Sequence, residues 1–80
     1  MGRRDYYLQL AFGMGLSLPE TQSMLAFLGV GALYAVRERD AAMMFGLQRG
    51  YDLMAVQLLL DGRNLPPLGD PDSVDRKSVV

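Results

Sequence analysis

The chain contains no cysteine and no histidine. Without cysteine, no disulfide and no thiolate metal site can supplement the core, and the redox compartment leaves no trace in the sequence. Without histidine, both the commonest general base and the commonest metal ligand are gone. The hydroxyls at Ser17, Thr21, Ser23, Ser73 and Ser78 therefore have no imidazole to activate them as nucleophiles. A basic excess is missing too, since eight Lys and Arg stand against nine Asp and Glu, for a net charge of −1. Phosphate contacts dominate non-specific nucleic-acid affinity, so this balance speaks against such binding. These absences predict a chain that is not an enzyme, with no catalytic residue, no cofactor and no metal.

Charge is also scarce locally. Between Tyr6 and Val36 the only charged residue is Glu20. The uncharged run from Thr21 to Val36 falls short of the ~20 residues a membrane span needs. It also carries Gly29 and Gly31, so it reads as a very apolar helical hairpin. Gly2-Arg3-Arg4-Asp5 is not followed by a cleavable small-residue pattern, and the sequence after Met1-Gly2 lacks the Ser or Thr of a myristoylation site. A cytoplasmic location is expected.

What is present is a repeat. Arg4-Asp5 opens a run that reaches Gly15-Leu16-Ser17-Leu18, and Arg39-Asp40 opens another that reaches Gly50-Tyr51-Asp52-Leu53. The offset is 35 residues (39 − 4), and it also relates Gln22 to Gln57, Leu25 to Leu60 and Leu33 to Leu68. A period of about 35 residues corresponds to one helix-turn-helix unit, which cannot bury its apolar face alone. Eighty residues make one domain, and half of them are hydrophobic. The expected architecture is all-α: a small antiparallel bundle of four main helices with short extra turns and an internal two-fold hairpin pseudo-repeat. The bundle should occupy residues 1–68, with repeat 1 near 4–34, repeat 2 near 39–68, and a disordered tail at 69–80 that has little to bury.

Helix boundaries follow from caps and spacing. A first helix is predicted from Arg3 to Met14, with Tyr7, Leu8, Ala11 and Phe12 on its apolar face. Gly15 suits the left-handed position after it. Ser17 reads as an N-cap, Pro19 lies within the first turn, and Glu20 completes a capping box. The second helix then runs from Leu18 to Leu28, with Leu18, Thr21, Leu25 and Leu28 inward. A third begins at Arg37 or Arg39 and ends at Gln48, with Ala41, Met44, Phe45 and Gln48 inward and Met43 and Leu47 broadening that surface. Asp52 repeats the N-cap of Ser17. The fourth helix runs from Leu53 to Leu60 or Asp61, with Leu53, Val56, Leu59 and Leu60 inward. Leu65-Pro66-Pro67-Leu68 should lie against the helices, as Leu68 matches Leu33.

Gln22 and Gln57 fall on apolar faces, where an amide must find hydrogen bonds. Their recurrence in both repeats predicts that each ties down the backbone of a neighbouring loop. Ser17, Glu20, Asp52, Gln22 and Gln57 are thus the expected structural polar residues. Glu38 and Asp40 flank Arg39 at a helix start, where local ion pairs and the helix dipole account for them better than acid–base work does. The remaining charges form two clusters of mixed sign, Arg3-Arg4-Asp5 and Arg37-Glu38-Arg39-Asp40. Adjacent Met43 and Met44 cannot both face one core, so one of them, or Met54, is expected to be exposed. With Tyr6, Tyr7, Tyr34 and Met43, taken from that pair, the two clusters make the candidate interaction surface.

Leu10-Ala11, Gly15-Leu16-Ser17-Leu18-Pro19-Glu20-Thr21 resembles the opening of XRE-type helix-turn-helix regulators. The match ends at Gly29 to Val36, which is apolar and glycine-rich where such a regulator presents a polar recognition helix. Arg4-Asp5, Gly15 to Gln22, Leu33-Tyr34, Arg39-Asp40-Ala41 and Gly50 to Leu60 together resemble a group of bacterial helical modules labelled XRE-like. Compact bundles of this kind also look like the death-fold superfamily, a likeness of architecture. It implies homotypic assembly in signalling or defence. The expected function is a non-enzymatic protein–protein interaction module, self-associating into an oligomer or filament. The alternative is a DNA-binding regulator, with Arg37, Arg39 and Gln22 or Gln57 facing a groove together; a third is membrane-surface association through Tyr6 to Val36.

Overall fold

The computed structural model describes residues 3–69. Among these residues there are four helices and no strand: α1 (Arg3–Met14), α2 (Leu18–Leu28), α3 (Glu38–Gln48) and α4 (Leu53–Gly62). The expected all-α bundle is what the chain adopts. Apart from Gly69, the tail expected at 69–80 lies outside the described residues.

The start of α2 is set by a reciprocal cap. Ser17 Oγ accepts from the Glu20 N–H at 3.2 Å, and Glu20 Oε1 accepts from the Ser17 N–H at 2.8 Å. Two orphan donors of the first turn are thus satisfied at once. In repeat 2 the single carboxylate of Asp52 does the equivalent work, accepting from the Ala55 N–H at 2.8 Å. The exits also match. Gly29 ends α2 with φ of 69°, and Asn64, 35 residues on, follows α4 with φ of 59°. Asparagine is the side chain that best tolerates the left-handed region, so repeat 2 makes the same turn without glycine.

The core is drawn almost equally from both repeats. Leu8, Phe12, Leu25 and Leu33 come from the first; Ala42, Met43, Leu47, Val56, Leu60 and Leu68 come from the second. Offset by 35 residues, Leu8 corresponds to Met43, Phe12 to Leu47, Leu25 to Leu60 and Leu33 to Leu68. Helix α1 packs on α2 and α4, and α3 packs on α4 and α2. The hairpin pairs α1–α2 and α3–α4 therefore meet through α1–α4 and α2–α3, as a pseudo-two-fold requires.

Three inward sets differ from expectation. In α3 the buried positions are Asp40, Ala42, Met43, Gly46 and Leu47, while Phe45 and Gln48 are exposed and Ala41 and Met44 are half-buried. The helix is turned by about one residue from the predicted face. Gly46 lies on the face that is turned inward, closely packed by three neighbours. A Cβ there would lie 3.3 Å from Phe12 Cε1, 3.3 Å from Val56 Cγ2 and 3.4 Å from Tyr51 Cδ2. Leu28, in the last turn of α2, is exposed rather than inward. Leu18 and Leu53 sit at equivalent places, but each is half-buried and packs on the rim of the core.

Candidate functional site

Glutamine anchors close each repeat. Gln22 Nε2 donates to the Leu33 carbonyl at 2.9 Å, and Gln22 Oε1 accepts from the Leu33 N–H at 2.8 Å. Gln57 treats Leu68 identically, at 2.7 and 2.8 Å. Each half-buried amide thus satisfies both backbone groups of the residue that returns to the core, the role predicted for the pair.

The Arg-Asp dyads that open the repeats are crossed between them. Arg4 forks onto Asp40, with Nη2–Oδ1 at 2.7 Å and Nη1–Oδ2 at 3.2 Å. Arg39 forks onto Asp5, with Nη1–Oδ1 at 3.0 Å and Nη2–Oδ2 at 2.8 Å. Each arginine also donates to the loop of its own repeat. Arg4 reaches the Ala32 carbonyl, and Arg39 reaches the carbonyls of Pro66 and Pro67. The two pairs are not equally deep. The Asp40 side chain is 2 % exposed and also accepts the Tyr34 N–H at 3.0 Å, whereas Asp5 is 20 % exposed.

These pairs revise the candidate surface. Arg4, Asp5, Arg39 and Asp40 do not form two free mixed-charge patches, because each side chain is spent on the opposite repeat. Asp40 does not pair locally within its helix start, since its partner lies 36 residues away. Met43 is fully buried and is no surface residue; its equivalent is the core residue Leu8. Tyr7 is half-buried and packs on the core. Arg3, Tyr6, Tyr34, Arg37 and Glu38 are exposed. Gln22, Gln57 and Arg39, which a DNA groove would have needed free, are all engaged within the chain. Ser17, Glu20 and Asp52 act as the expected caps.

Sequence reasoning missed an apolar stripe. Tyr6, Leu10 and Met14 stand at four-residue steps on α1, so they share one face, and all three are exposed. Met54 and Leu58 are exposed at the same step on α4. The positions 35 residues on from the α1 stripe are Ala41, Phe45 and the α3 C-cap Arg49; Phe45 is as exposed as Leu10, at 39 % against 41 %, but its ring meets two neighbours. The Arg49 guanidinium lies 4.8 Å over the Phe45 ring, and Tyr51 meets it edge-on at 5.9 Å. The α2 positions equivalent to Met54 and Leu58 are Pro19 and Ser23. Comparing outward positions between the repeats would have found this difference in the sequence.

No protein-family model, no curated protein and no solved structure matches the chain. Among the described residues no helix is long and apolar enough to cross a membrane, and no three His, Cys, Asp or Glu side chains are grouped to hold a metal ion.

Proposed function

We propose that this domain is a non-enzymatic protein–protein interaction module that associates with copies of itself or with a related helical domain, acting in the cytoplasm in bacterial signalling or defence. The observation that carries the reading is the exposed Tyr6-Leu10-Met14 stripe of α1. A small domain gains nothing in its own stability from keeping such a stripe in water, and apolar patches of this kind mark interaction surfaces. Arg3, one turn before Tyr6, and the exposed Arg37 and Glu38 offer charge of both signs for orientation. The resemblance of the Arg-Asp and Gly-Leu-Ser-Leu phrases to bacterial XRE-labelled modules, and of the bundle to death-fold domains, supports assembly as the purpose.

Light scattering across a concentration series tests it. The unmutated domain should gain mass with concentration, and Leu10→Glu, at an exposed position, should abolish that gain while leaving the melting temperature within a degree or two. Arg39→Glu is the wrong probe, as it breaks the Asp5 pair and two carbonyl contacts inside the fold. A monomer at every attainable concentration refutes self-association.

A further inference from the structure

We propose that a second copy of this chain can take the place of either hairpin, so that two chains exchange repeats and close a reciprocal dimer. The inference specifies how copies join and is distinct from association through the α1 stripe. It stands on the self-complementarity of the halves. In a pseudo-two-fold, the surface of repeat 1 that receives repeat 2 is complementary to a surface nearly like its own, which is the definition of an isologous contact. Here the likeness extends to atoms. Repeat 1 offers Arg4 and Asp5 and receives Asp40 and Arg39 in return, each through a two-bond fork. Leu8 and Met43, and Phe12 and Leu47, occupy equivalent positions of the two repeats within one buried cluster.

The connection between the halves is short and open. Gln22 holds Leu33 to repeat 1, and Glu38 begins α3. The free segment is therefore Tyr34-Ala35-Val36-Arg37. All four residues are exposed, Val36 at 93 %, and one backbone bond closes the turn, from the Arg37 N–H to the Tyr34 carbonyl at 3.0 Å. Straightening this segment loses that bond and hands the Tyr34 N–H, held by Asp40 Oδ2 at 3.0 Å, to the Asp40 of the exchanged hairpin, and short hinges invite exchange. Within one chain, a linker this short gives an effective concentration of millimolar order, so the closed monomer prevails in dilute solution and exchange appears when chains refold together at high concentration.

The test uses two full-length variants. Arg39→Glu sets like charges against Asp5 in its own chain, and Asp5→Arg sets like charges against Arg39. In a mixed exchanged dimer both clashes vanish: one composite keeps native Asp5 and Arg39, and the other carries the reversed pair. Relieving two clashes lowers the concentration for exchange about 30-fold, into the tens of micromolar. Co-refolding the variants should yield a mixed dimer by native mass spectrometry, melting about 4–8 °C above either variant alone. The single chain carrying D5R and R39E together should refold as a monomer more stable than the R39E chain, the remaining deficit being the lost contacts to the Pro66 and Pro67 carbonyls. Two monomers after co-refolding, with that double variant folded, overturn the proposal. If the variants do not fold, two differently tagged unmutated copies refolded together at millimolar concentration decide the matter: a mixed-tag dimer stable to dilution supports exchange, and its absence overturns it. Exchange requires the halves to part, so it is slow and survives Leu10→Glu, whereas stripe-mediated association is fast, reverses on dilution and is lost in that variant. Either can fail without the other.

Discussion

Truncating the two crossed aspartates to alanine should have unequal consequences, although the sequence places them in equivalent positions. Asp40→Ala removes an acceptor whose side chain is 2 % exposed. Among the described residues Arg4 is left with only the Ala32 carbonyl, and the Tyr34 N–H loses its acceptor. Breaking a buried ion pair by deleting one partner costs about 3–5 kcal/mol. Arg4 is 23 % exposed and can be partly rehydrated, which places the expected loss near the lower end, about 3 kcal/mol. Asp5→Ala removes an acceptor that is 20 % exposed, and Arg39 keeps the carbonyls of Pro66 and Pro67. A half-buried pair in which both partners keep a fifth of their surface in water sits near the top of the surface range, about 1 kcal/mol. The gap of about 2 kcal/mol corresponds to roughly 8–16 °C in melting temperature for a domain of this size. Urea unfolding followed by far-ultraviolet circular dichroism measures it, with the slope m checked for constancy so that the midpoint shift reports stability alone. Arg4→Ala should cost less in the Asp40→Ala background than in the unmutated chain, because the two residues share one interaction. Equal midpoints for the two aspartate variants, or additivity of Arg4→Ala and Asp40→Ala, would refute the assignment of Asp40 as the deeper partner.

Other positions give further tests by the same unfolding assay. Gln22→Leu and Gln57→Leu should each lose roughly 1–3 kcal/mol, as both backbone groups of Leu33 or Leu68 lose their partners; unchanged midpoints would show that water replaces the amide without penalty. Gly46→Ala should lose roughly 1–3 kcal/mol, since its methyl group would press on Phe12, Val56 and Tyr51 together, and a gain would show that these side chains can retreat. Gln9→Met should stabilise by about 1 kcal/mol. Among the described residues nothing pairs with the buried Gln9 Nε2, and repeat 2 carries Met44 at the equivalent position; a loss would mean that the amide holds a partner in solution.

Much of this molecule was legible along the chain, and the reason is that its signals are local. Ser17-x-x-Glu20 and Asp52 fix helix starts through bonds that span three residues. Gly15, Gly29 and Gly50 mark exits through their own backbone angles. The 35-residue period carried the equivalence of the two hairpins, and with it the matched roles of Gln22 and Gln57. The rotation of α3 was less legible, because alanine, methionine, phenylalanine and leucine occupy so many of its positions that periodicity alone selects no single face. The repeat held the answer: aligning α3 on α1 places Met43 and Leu47 under Leu8 and Phe12, and Gly46 under the buried Ala11.

The sequence by itself determined the four helices, their caps and the pairing of each into a hairpin, since these depend on bonds between near neighbours. Only the tertiary structure decided what the charges do. Two identical Arg-Asp dyads at two helix starts read as surface patches when each is considered with its neighbours in the chain. Docking one hairpin on the other brings each arginine to the opposite aspartate across more than thirty residues and takes Asp40 out of water. It also decided which apolar residues stay outside. A helix that is apolar nearly all round cannot bury every face against two neighbours, and on α1 the face left over is Tyr6, Leu10 and Met14.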